Sequence, residues 1–382
     1  MSQRITVLGA GMVGSVIAED LHASGFEVSI ADIDNTSLSR ITERSKGAID
    51  IHNIDCSDVN AMASCIKDAD VVIGALPSWL GLNALKTVIE SEKPYCDISF
   101  MAEDPSELNK LACEKGVTCV VDFGVAPGMS HLLCSHIDDL LDSCSMLDIV
   151  VGGLPVERNW PWEYKAPFSP RDVIEEYIRP ARIVENGKKV VKPALSEVEL
   201  LELPGVGTLE AFNSDGLRTL CDTLTVPNMK ERTLRYPGHA EMMKRLRDGG
   251  FFNNAPIQYG NQEVVPLEMT AKILIESWRY EPREADLTVM RVSGEGMKGE
   301  TNMSITFDLL DYYDSKRDQS SMARTTGFPA ASVARMLADG TISKPGVHPP
   351  ETFGSNHLVV NRILAELQER NVLYSKTMEP IQ

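Results

Sequence analysis

The sequence predicts an α/β protein in two parts: an N-terminal doubly wound parallel sheet, and an α+β domain with a mainly antiparallel sheet. Three observations support this. The chain has 382 residues, about twice the size of a common single domain. Its first 125 residues alternate short β-rich runs with helical patterns, which is typical of parallel strands joined by helices. After Pro127 this rhythm changes to alternating polarity and hairpin turns.

The first part is expected to contain six strands separated by helices. Gly25 and Gly116 are expected to end two of these helices, because glycine readily adopts the left-handed conformation that stops a helix. These helices are expected at residues 12–24 and 105–115. The expected strands are residues 5–8, 28–31, 49–51, 71–73, 95–97 and 119–122.

The second part is predicted from its turns. Asn186-Gly187 between two β-rich runs indicates a hairpin, because both positions of a type I′ turn need positive φ. A second antiparallel pair is expected at residues 287–292 and 302–309, joined by 294–299. Ser169-Pro170-Arg171-Asp172 has the pattern of a capping box that opens a helix.

Beyond residue 325 the pattern is helical again, at 330–337 and 356–369. These segments are too short for a third core, so we expect them to pack on the first domain. The predicted organisation is 1–125 for the parallel-sheet domain, 126–325 for the α+β domain and 326–382 for the returning helices.

Composition excludes several classes of function. With 37 basic and 55 acidic residues, the formal net charge is −18, which repels phosphate backbones and anionic lipids. The eight cysteines include no C-x-x-C pair, and no histidine cluster has zinc spacing. No signal-peptide core precedes Ile5, and no apolar run has the length of about 18 residues that spans a membrane. We therefore expect a cytoplasmic protein without nucleic-acid, membrane or metal partners.

Gly9-Ala10-Gly11-Met12-Val13-Gly14 is a G-x-G-x-x-G motif between a predicted strand and a predicted helix. This is the fingerprint of a dinucleotide-binding Rossmann domain, in which the glycines let the backbone and a helix N-terminus approach a pyrophosphate. Asp32, 21 positions after Gly11, is placed to accept hydrogen bonds from the adenosine ribose. A 2′-phosphate would face this carboxylate, and no basic residue follows until Arg40, so the predicted cofactor is NAD.

Other polar and loop residues follow the remaining strands. Asp55 and Ala75-Leu76-Pro77 are weaker candidates for cofactor contacts, and Asp55 fits a helix cap equally well. Four side chains are candidates for proton transfer, although each also fits a cap, an ion pair or a satisfied polar group: Asp97, Asp122, His131 and Lys165. Arg235 could clamp a carboxylate, and His239 near a helix N-terminus is expected to be neutral.

Four segments together resemble the saccharopine dehydrogenase family over nearly the whole chain: residues 9–14, 122–131, 151–155 and 232–238. The resemblance implies a Rossmann domain, a second domain that holds a substrate over the nicotinamide, returning C-terminal helices and dimers. It also implies an NAD-dependent amino-acid dehydrogenase acting on a CH-NH2 or CH-NH bond.

Within the family the chain most resembles the lysine 6-dehydrogenase branch, with Arg324-Thr325-Thr326-Gly327-Phe328-Pro329 and residues 346–351 also similar. That branch oxidises the 6-amino carbon of L-lysine, giving allysine (cyclising to 1-piperideine-6-carboxylate), ammonia and NADH. Saccharopine reductases carry N-R-D-S where this chain has Asn213-Ser214-Asp215-Gly216, so an arginine that would pair with a substrate carboxylate is Ser214. Saccharopine has three carboxylates and lysine one, so the change favours lysine.

The substrate residues expected from these comparisons are Phe100, Arg171, Ser214, Arg235 and His239. A saccharopine reductase (L-glutamate-forming) or a carboxyspermidine-type dehydrogenase remains the alternative enzyme. A binding module that senses NAD without turnover is the alternative outside enzymes, although a large second domain argues against it.

Overall fold

The chain folds around two large sheets, one parallel and one mainly antiparallel, in a computed structural model. It describes residues 3–166 and 170–381, without the side chains of residues 170–172. Two units result. Unit 1 comprises Met1–His136 and Ala323–Val372, and unit 2 comprises Ile137–Met322 and Leu373–Gln382.

Unit 1 contains the parallel sheet, whose order within the described residues is β17-β6-β5-β4-β1-β2-β3. The chain order reverses between β1 and β4, which makes the switch point where doubly wound sheets bind ligands. The strands are β1 (Arg4–Leu8), β2 (Glu27–Asp32), β3 (Asp50–Asn53), β4 (Val71–Gly74), β5 (Tyr95–Asp97), β6 (Thr118–Val120) and β17 (Gly346–His348).

The strands of unit 1 alternate with helices whose apolar sides are buried. Asp34 and Asp58 cap two of them, each accepting hydrogen bonds from the first backbone N–H groups. The α-helices that begin in this unit or extend into it are α1 (Met12–Ala23), α2 (Asn35–Ser45), α3 (Val59–Cys65), α4 (Gly81–Glu90), α5 (Asn109–Lys115), α6 (Met129–Leu140), α11 (Ser321–Ala338) and α12 (His357–Glu369).

Unit 2 contains the mainly antiparallel sheet, in which the strand order is β10-β11-β12-β7-β15-β16-β18 and only the β12–β7 pair of this path is parallel among the described strands. A hairpin of β8 and β9 joins the sheet at β12. The strands are β7 (Ser143–Pro155), β8 (Ala181–Glu185), β9 (Lys188–Lys192), β10 (Glu199–Leu203), β11 (Gly207–Asn213), β12 (Met229–Arg235), β13 (Ile257–Tyr259), β14 (Gln262–Val264), β15 (Asp286–Lys298), β16 (Thr301–Tyr312) and β18 (Tyr374–Pro380).

Three helices of unit 2 contribute buried residues to an apolar core that they share with the sheet. Its largest fully buried side chain is Trp278, which packs edge-on against Tyr164. The α-helices are α7 (Pro170–Ile178), α8 (Leu220–Thr223), α9 (His239–Asp248) and α10 (Pro266–Trp278).

The predicted fold class is confirmed, and the six strands and the Asn186-Gly187 hairpin lie where they were expected. Two segments expected only as helix or connection are strands instead: β17 extends the parallel sheet, and β18 pairs with β16. Residues 294–299 were expected to connect two strands, but β15 continues through Gly294 and Gly296. A Cβ at Gly296 would lie 2.0 Å from the carbonyl oxygen of Ser143, so these glycines let β15 and β7 approach closely.

The division of the chain also differs from the expected boundaries at 125 and 325. Unit 1 extends to His136, so it includes the first part of α6, and the chain returns to unit 1 at Ala323. Residues beyond Val372 belong to unit 2. Within the described ranges, no helix combines the length and apolar character needed to cross a membrane.

Candidate active site

The glycine loop of unit 1 is shaped for a dinucleotide. A Cβ at Gly9 would lie 2.3 Å from the carbonyl oxygen of Ala75, and one at Gly14 would lie 2.0 Å from that of Gly9. By contrast, a Cβ at Gly11 would meet nothing within 4 Å, and Gly11 is exposed at the N-terminus of α1. Gly9 and Gly14 therefore let the loop pack closely against neighbouring backbone, and the free space beside Gly11 leaves room for a phosphate at the helix N-terminus.

Asp32 ends β2 beside this loop. Its carboxylate accepts hydrogen bonds from the backbone N–H groups of Ala10, at 2.6 Å, and Asp34, at 2.8 Å. Both contacts fix the side chain at the edge where an adenosine ribose binds in this fold. Asp55 lies beyond β3, where it is exposed. Hydrogen bonds from the hydroxyl of Ser57 and from its backbone N–H lower the pKa of Asp55.

Ala75, Leu76 and Pro77 follow β4 directly beside the glycine loop. The N–H of Ala75 donates to the carbonyl of Leu8 at 2.8 Å. The structure therefore places this segment and Gly9-Ala10-Gly11-Met12-Val13-Gly14 at one edge of the parallel sheet.

Asp97 and Asp122 lie together at the same edge, at the ends of the neighbouring strands β5 and β6. The N–H of Phe123 donates to the carbonyl of Asp97 at 2.9 Å, and both side chains are buried. Burial raises the pKa of Asp97 to about 6, against the opposing hydrogen bonds from Ser99 and Tyr95, and the charge of Asp122 adds to the rise. Two interacting carboxyl groups of this kind can hold and release a proton near neutral pH.

Two residues at this edge have left-handed backbone conformations, which are uncommon for residues other than glycine. Phe100 has φ of 49° and Asp122 has φ of 55°. Strained residues of this kind cluster at functional sites. The sequence pattern did not predict these left-handed conformations.

The other candidates for proton transfer have polar partners of their own. His131 is buried in α6, where its Nδ1 lies 3.0 Å from the hydroxyl of Ser130. Lys165 belongs to unit 2, and its ammonium group forms an ion pair with Glu284 at 2.6 Å. Arg171 lies in α7, but its side chain is outside the described residues, as is Ser169 of the expected capping box.

In unit 2, Arg235 and His239 lie in one buried polar cluster. The guanidinium of Arg235 donates to Glu176 at 2.9 Å and lies over the ring of Tyr164, 4.4 Å from its centre. His239 Nε2 lies 2.9 Å from the hydroxyl of Tyr177. Burial, and secondarily the charge of Arg235, lowers the pKa of His239 to about 3, so the imidazole is neutral at physiological pH, in line with the expectation from the sequence.

Ser214 faces a carboxylate. Its hydroxyl donates to Glu231 Oε2 at 2.9 Å and accepts a hydrogen bond from the hydroxyl of Thr233 at 2.8 Å. Burial raises the pKa of Glu231 to about 8, against the hydrogen bond from Ser214, and the charges of Glu176 and Asp215 add to the rise. A Cβ at Gly216 would lie 2.0 Å from this carboxylate, so glycine is needed there.

The sequence analysis missed Glu231, Glu176, Tyr164 and Tyr177. For Glu231 a signal existed, because Glu231, Thr233 and Arg235 alternate along β12 and so share one face of the sheet. For the residues of α7 no signal existed, since only the fold brings that helix against β12.

Two sequence profiles of known domains match the chain. The saccharopine dehydrogenase NADP binding domain matches residues 5–120, and the saccharopine dehydrogenase C-terminal domain matches residues 124–373. The chain belongs to the saccharopine dehydrogenase family. Membership confirms the predicted resemblance and the predicted enzyme class, an oxidoreductase with an NAD(P)-binding domain.

Curated relatives are distant but cover most of the chain. Saccharopine dehydrogenase [NADP(+), L-glutamate-forming] from Saccharomyces cerevisiae is 24% identical over 98% of this chain and 99% of the relative. Carboxynorspermidine synthase from Vibrio alginolyticus is 21% identical over 90% of each. The mitochondrial alpha-aminoadipic semialdehyde synthase of Rattus norvegicus is 24% identical over 95% of this chain, which spans about half, 47%, of that relative.

Among solved structures, apo histidine-tagged saccharopine dehydrogenase (L-Glu forming) from Saccharomyces cerevisiae superposes with a TM-score of 0.83 at 20% identity, covering 99% of this chain and 100% of the other. At this identity the likeness confirms the fold.

Proposed function

We propose that the protein is an NAD-dependent dehydrogenase that oxidatively deaminates L-lysine at its 6-amino group. The observation that carries the choice of substrate is the contact between Ser214 and the buried carboxylate of Glu231. By the resemblance, saccharopine reductases carry an arginine at the position of Ser214, where it would bind a substrate carboxylate. Here the position holds a hydroxyl that is hydrogen-bonded to Glu231.

The charges around Glu231 support a cationic substrate. Arg235 is paired with Glu176 and Arg182 with Asp215, so ionised Glu231 gives this cluster of described residues one excess negative charge. A ligand with three carboxylates would meet like charge there, whereas an ammonium group would neutralise it.

The surroundings of Asp32 favour NAD over NADP. Three carboxylates, those of Asp32, Asp34 and Asp55, follow β2 and β3, where the adenosine ribose is bound in this fold. A 2′-phosphate would be repelled by them. This proposal departs from the yeast relative, whose name specifies NADP(+).

Asp122 is the proposed proton acceptor. Both oxygens of Asp97 accept hydrogen bonds that hold its own strand and turn, so we assign Asp97 a structural role and propose Asp122 for the proton transfer. Bound NAD supplies the hydride acceptor. In the proposed reaction Asp122 takes a proton from the substrate ammonium, hydride leaves the 6-carbon, and water adds to the resulting iminium so that ammonia departs.

The test is the formation of NADH, followed by absorbance, with NAD or NADP and each of L-lysine, saccharopine, ornithine and glutamate. We expect turnover with L-lysine and NAD, with one ammonia released per NADH. Turnover with saccharopine and not lysine would reject the proposal and favour the reductase named among the relatives.

Two variants test the assignments. Asp122→Asn should lower kcat by about a thousandfold while the dissociation constant of NADH stays within a factor of two, because only the base is removed. Glu231→Gln should raise KM for lysine by about tenfold or more, because a charge-assisted contact is lost. Glu241→Gln, an exposed change on α9, is the control and should leave both parameters unaltered.

A further inference from the structure

A short hairpin of unit 2 is part of neither large sheet. Its strands, β13 and β14, pair only with each other among the described strands. All residues from 253 to 263 are exposed, so the hairpin buries little surface against the rest of the chain. A two-stranded hairpin is marginally stable in water unless a third strand or a packed surface supports it. We therefore expect its support to come from another molecule.

The hairpin and its neighbours carry five exposed apolar side chains, here called the α10 patch. Each is between 50% and 76% exposed, and they are Phe251, Ile257, Tyr259, Met269 and Ile273. The segments that supply them adjoin one another. The hairpin leads directly into α10, on which Met269 and Ile273 lie one turn apart. The hydroxyl of Thr270 in α10 donates to the carbonyl of Phe251 at 2.9 Å.

The size of the patch fits an interface between proteins. At these exposures the five side chains present roughly 500 Å² of surface, taking about 200 Å² for a fully exposed side chain of this size. A standard interface covers about 800 Å² on each partner, of which about 60% is apolar. The α10 patch therefore supplies the apolar area that one partner of such an interface needs.

The charges beside the patch indicate which partner fits. Lys272 and Glu276 are exposed one turn apart on α10, on either side of Ile273, and neither forms an ion pair with another described residue. A two-fold axis across α10 would bring two copies of the helix together antiparallel and set Lys272 of each beside Glu276 of the other. A parallel approach would set like charges together. The surface is thus complementary to itself.

We propose that the α10 patch binds a second copy of this chain, with the two α10 helices antiparallel across a two-fold axis. The contact covers the apolar side chains of both copies, forms the ion pair between Lys272 and Glu276 twice, and supports the β13–β14 hairpin. The inference does not depend on the proposed reaction.

The first test is the mass of the full chain in solution, from light scattering after size-exclusion chromatography. The unmodified protein should be a dimer. Ile273→Asp should be a monomer with an unaltered circular dichroism spectrum, because each copy would bring an unpaired carboxylate into the contact. Leu358→Asp is the matched control and should remain a dimer, since Leu358 is exposed to a similar extent, 64%, on α12 of unit 1.

Charge reversal tests the antiparallel arrangement. Lys272→Glu and Glu276→Lys should each raise the dissociation constant of the dimer by about tenfold or more, because like charges then meet twice across the axis. An equimolar mixture of the two variants should form mainly heterodimers, since each acidic side chain then faces a basic one. Native mass spectrometry with a tag on one variant measures the proportions. Random proportions of homodimers and heterodimers would reject the antiparallel arrangement.

Hydrogen exchange tests the support of the hairpin. Residues 257–264 should exchange faster in Ile273→Asp than in the unmodified protein or Leu358→Asp, because the hairpin of a separate chain has no surface to pack against. Equal exchange in a monomeric Ile273→Asp would reject the part of the hairpin in the contact.

Two results would overturn the proposal as a whole. One is a monomeric unmodified protein, which would leave the α10 patch to a different kind of partner. The other is a dimer that persists in Ile273→Asp and in both charge-reversal variants, because its interface would then lie on another surface. A larger oligomer that Ile273→Asp reduces by half would support the proposal.

Discussion

Two buried carboxyl groups of the candidate site have raised pKa values. Asp97, with a pKa of about 6, and Glu231, with a pKa of about 8, are kept partly protonated near neutral pH mainly by burial. Asp97 accepts hydrogen bonds from the hydroxyls of Tyr95 and Ser99, and Glu231 accepts one from the hydroxyl of Ser214; a hydroxyl can hydrogen-bond to either protonation state. Their titration should therefore be visible in both stability and substrate binding.

Glu231 predicts a dependence of KM on pH. The ionised form attracts an ammonium group and the protonated form does not, so KM for lysine should fall as pH rises through about 8. Glu231→Gln should remove this dependence. KM profiles of the two proteins between pH 6.5 and 9.5 provide the measurement, and parallel profiles would contradict the assignment.

The same group predicts a dependence of stability on pH. Because the pKa of Glu231 is higher in the folded protein than its usual 4.5, the folded state binds the proton more tightly. Its contribution to the free energy of unfolding is therefore largest at low pH and falls as pH rises from about 4.5 through 8. Between pH 5 and 9, Tm should fall less in Glu231→Gln than in the unmodified protein; Glu241→Gln should follow the unmodified curve.

Individual site residues were predictable where a motif specifies a local conformation. Gly9, Gly11, Gly14 and Asp32 are of this kind, because strand, turn and helix are adjacent in sequence. The left-handed conformation of Phe100 was not predictable, because a positive φ at a phenylalanine leaves no pattern in the sequence. The ion pair between Arg235 and Glu176 was not predictable either, because Glu176 reaches Arg235 only through the packing of α7 on the sheet.

At the scale of elements, helix α9 depends on a carboxylate from another strand. Glu210 of β11 accepts hydrogen bonds from the N–H groups of Gly238, at 2.8 Å, and Ala240, at 2.5 Å. Gly238 precedes the helix with φ of 100° and provides no side chain for capping. Glu210 therefore replaces the usual cap and also neutralises the helix dipole.

Glu210→Ala should lower the free energy of unfolding by about 2 kcal/mol, because the N–H groups of Gly238 and Ala240 lose their acceptor. Since His239 is the first residue of α9, KM for the substrate should also rise. Denaturant unfolding measures the first effect. Glu241→Ala, on the exposed side of the same helix, should change stability by less than about 0.5 kcal/mol, and equal losses in the two variants would contradict the capping role.

Elements were predictable where they follow a local rhythm. The first six strands alternate with helices and were located to within about two residues. β17 and β18 were not predicted, because each joins a strand more than 60 residues away in sequence: β17 pairs with β6, and β18 with β16.

At the scale of the whole molecule, unit 1 is made from two distant stretches of chain held by an ion network. Asp20 of α1 contacts the guanidinium groups of Arg335 in α11 and Arg370 after α12. Arg335 also pairs with Glu366 at 3.0 Å, and the side chains of Asp20 and Arg335 are only 12% and 9% exposed. Breaking a largely buried pair leaves a charge without compensation.

Asp20→Ala should lower the free energy of unfolding by about 3 kcal/mol, because two guanidinium groups lose their carboxylate. Calorimetry of the variant measures the shift in Tm. Arg4→Ala is the control: its pair with Glu27, at 3.4 Å, is about half exposed on both sides and should contribute less than about 1 kcal/mol. A loss in Asp20→Ala no larger than in the control would show that the network does not stabilise unit 1.

The position of β17 has a consequence for synthesis on the ribosome. Residues 1–136 emerge first, but the strand that covers the edge of β6 is translated more than 200 residues later. During this interval β6 presents unpaired backbone groups, which favour association between nascent chains. A product that stops before Ala323 retains this open edge, so we expect such fragments to depend on chaperones more than the full chain does.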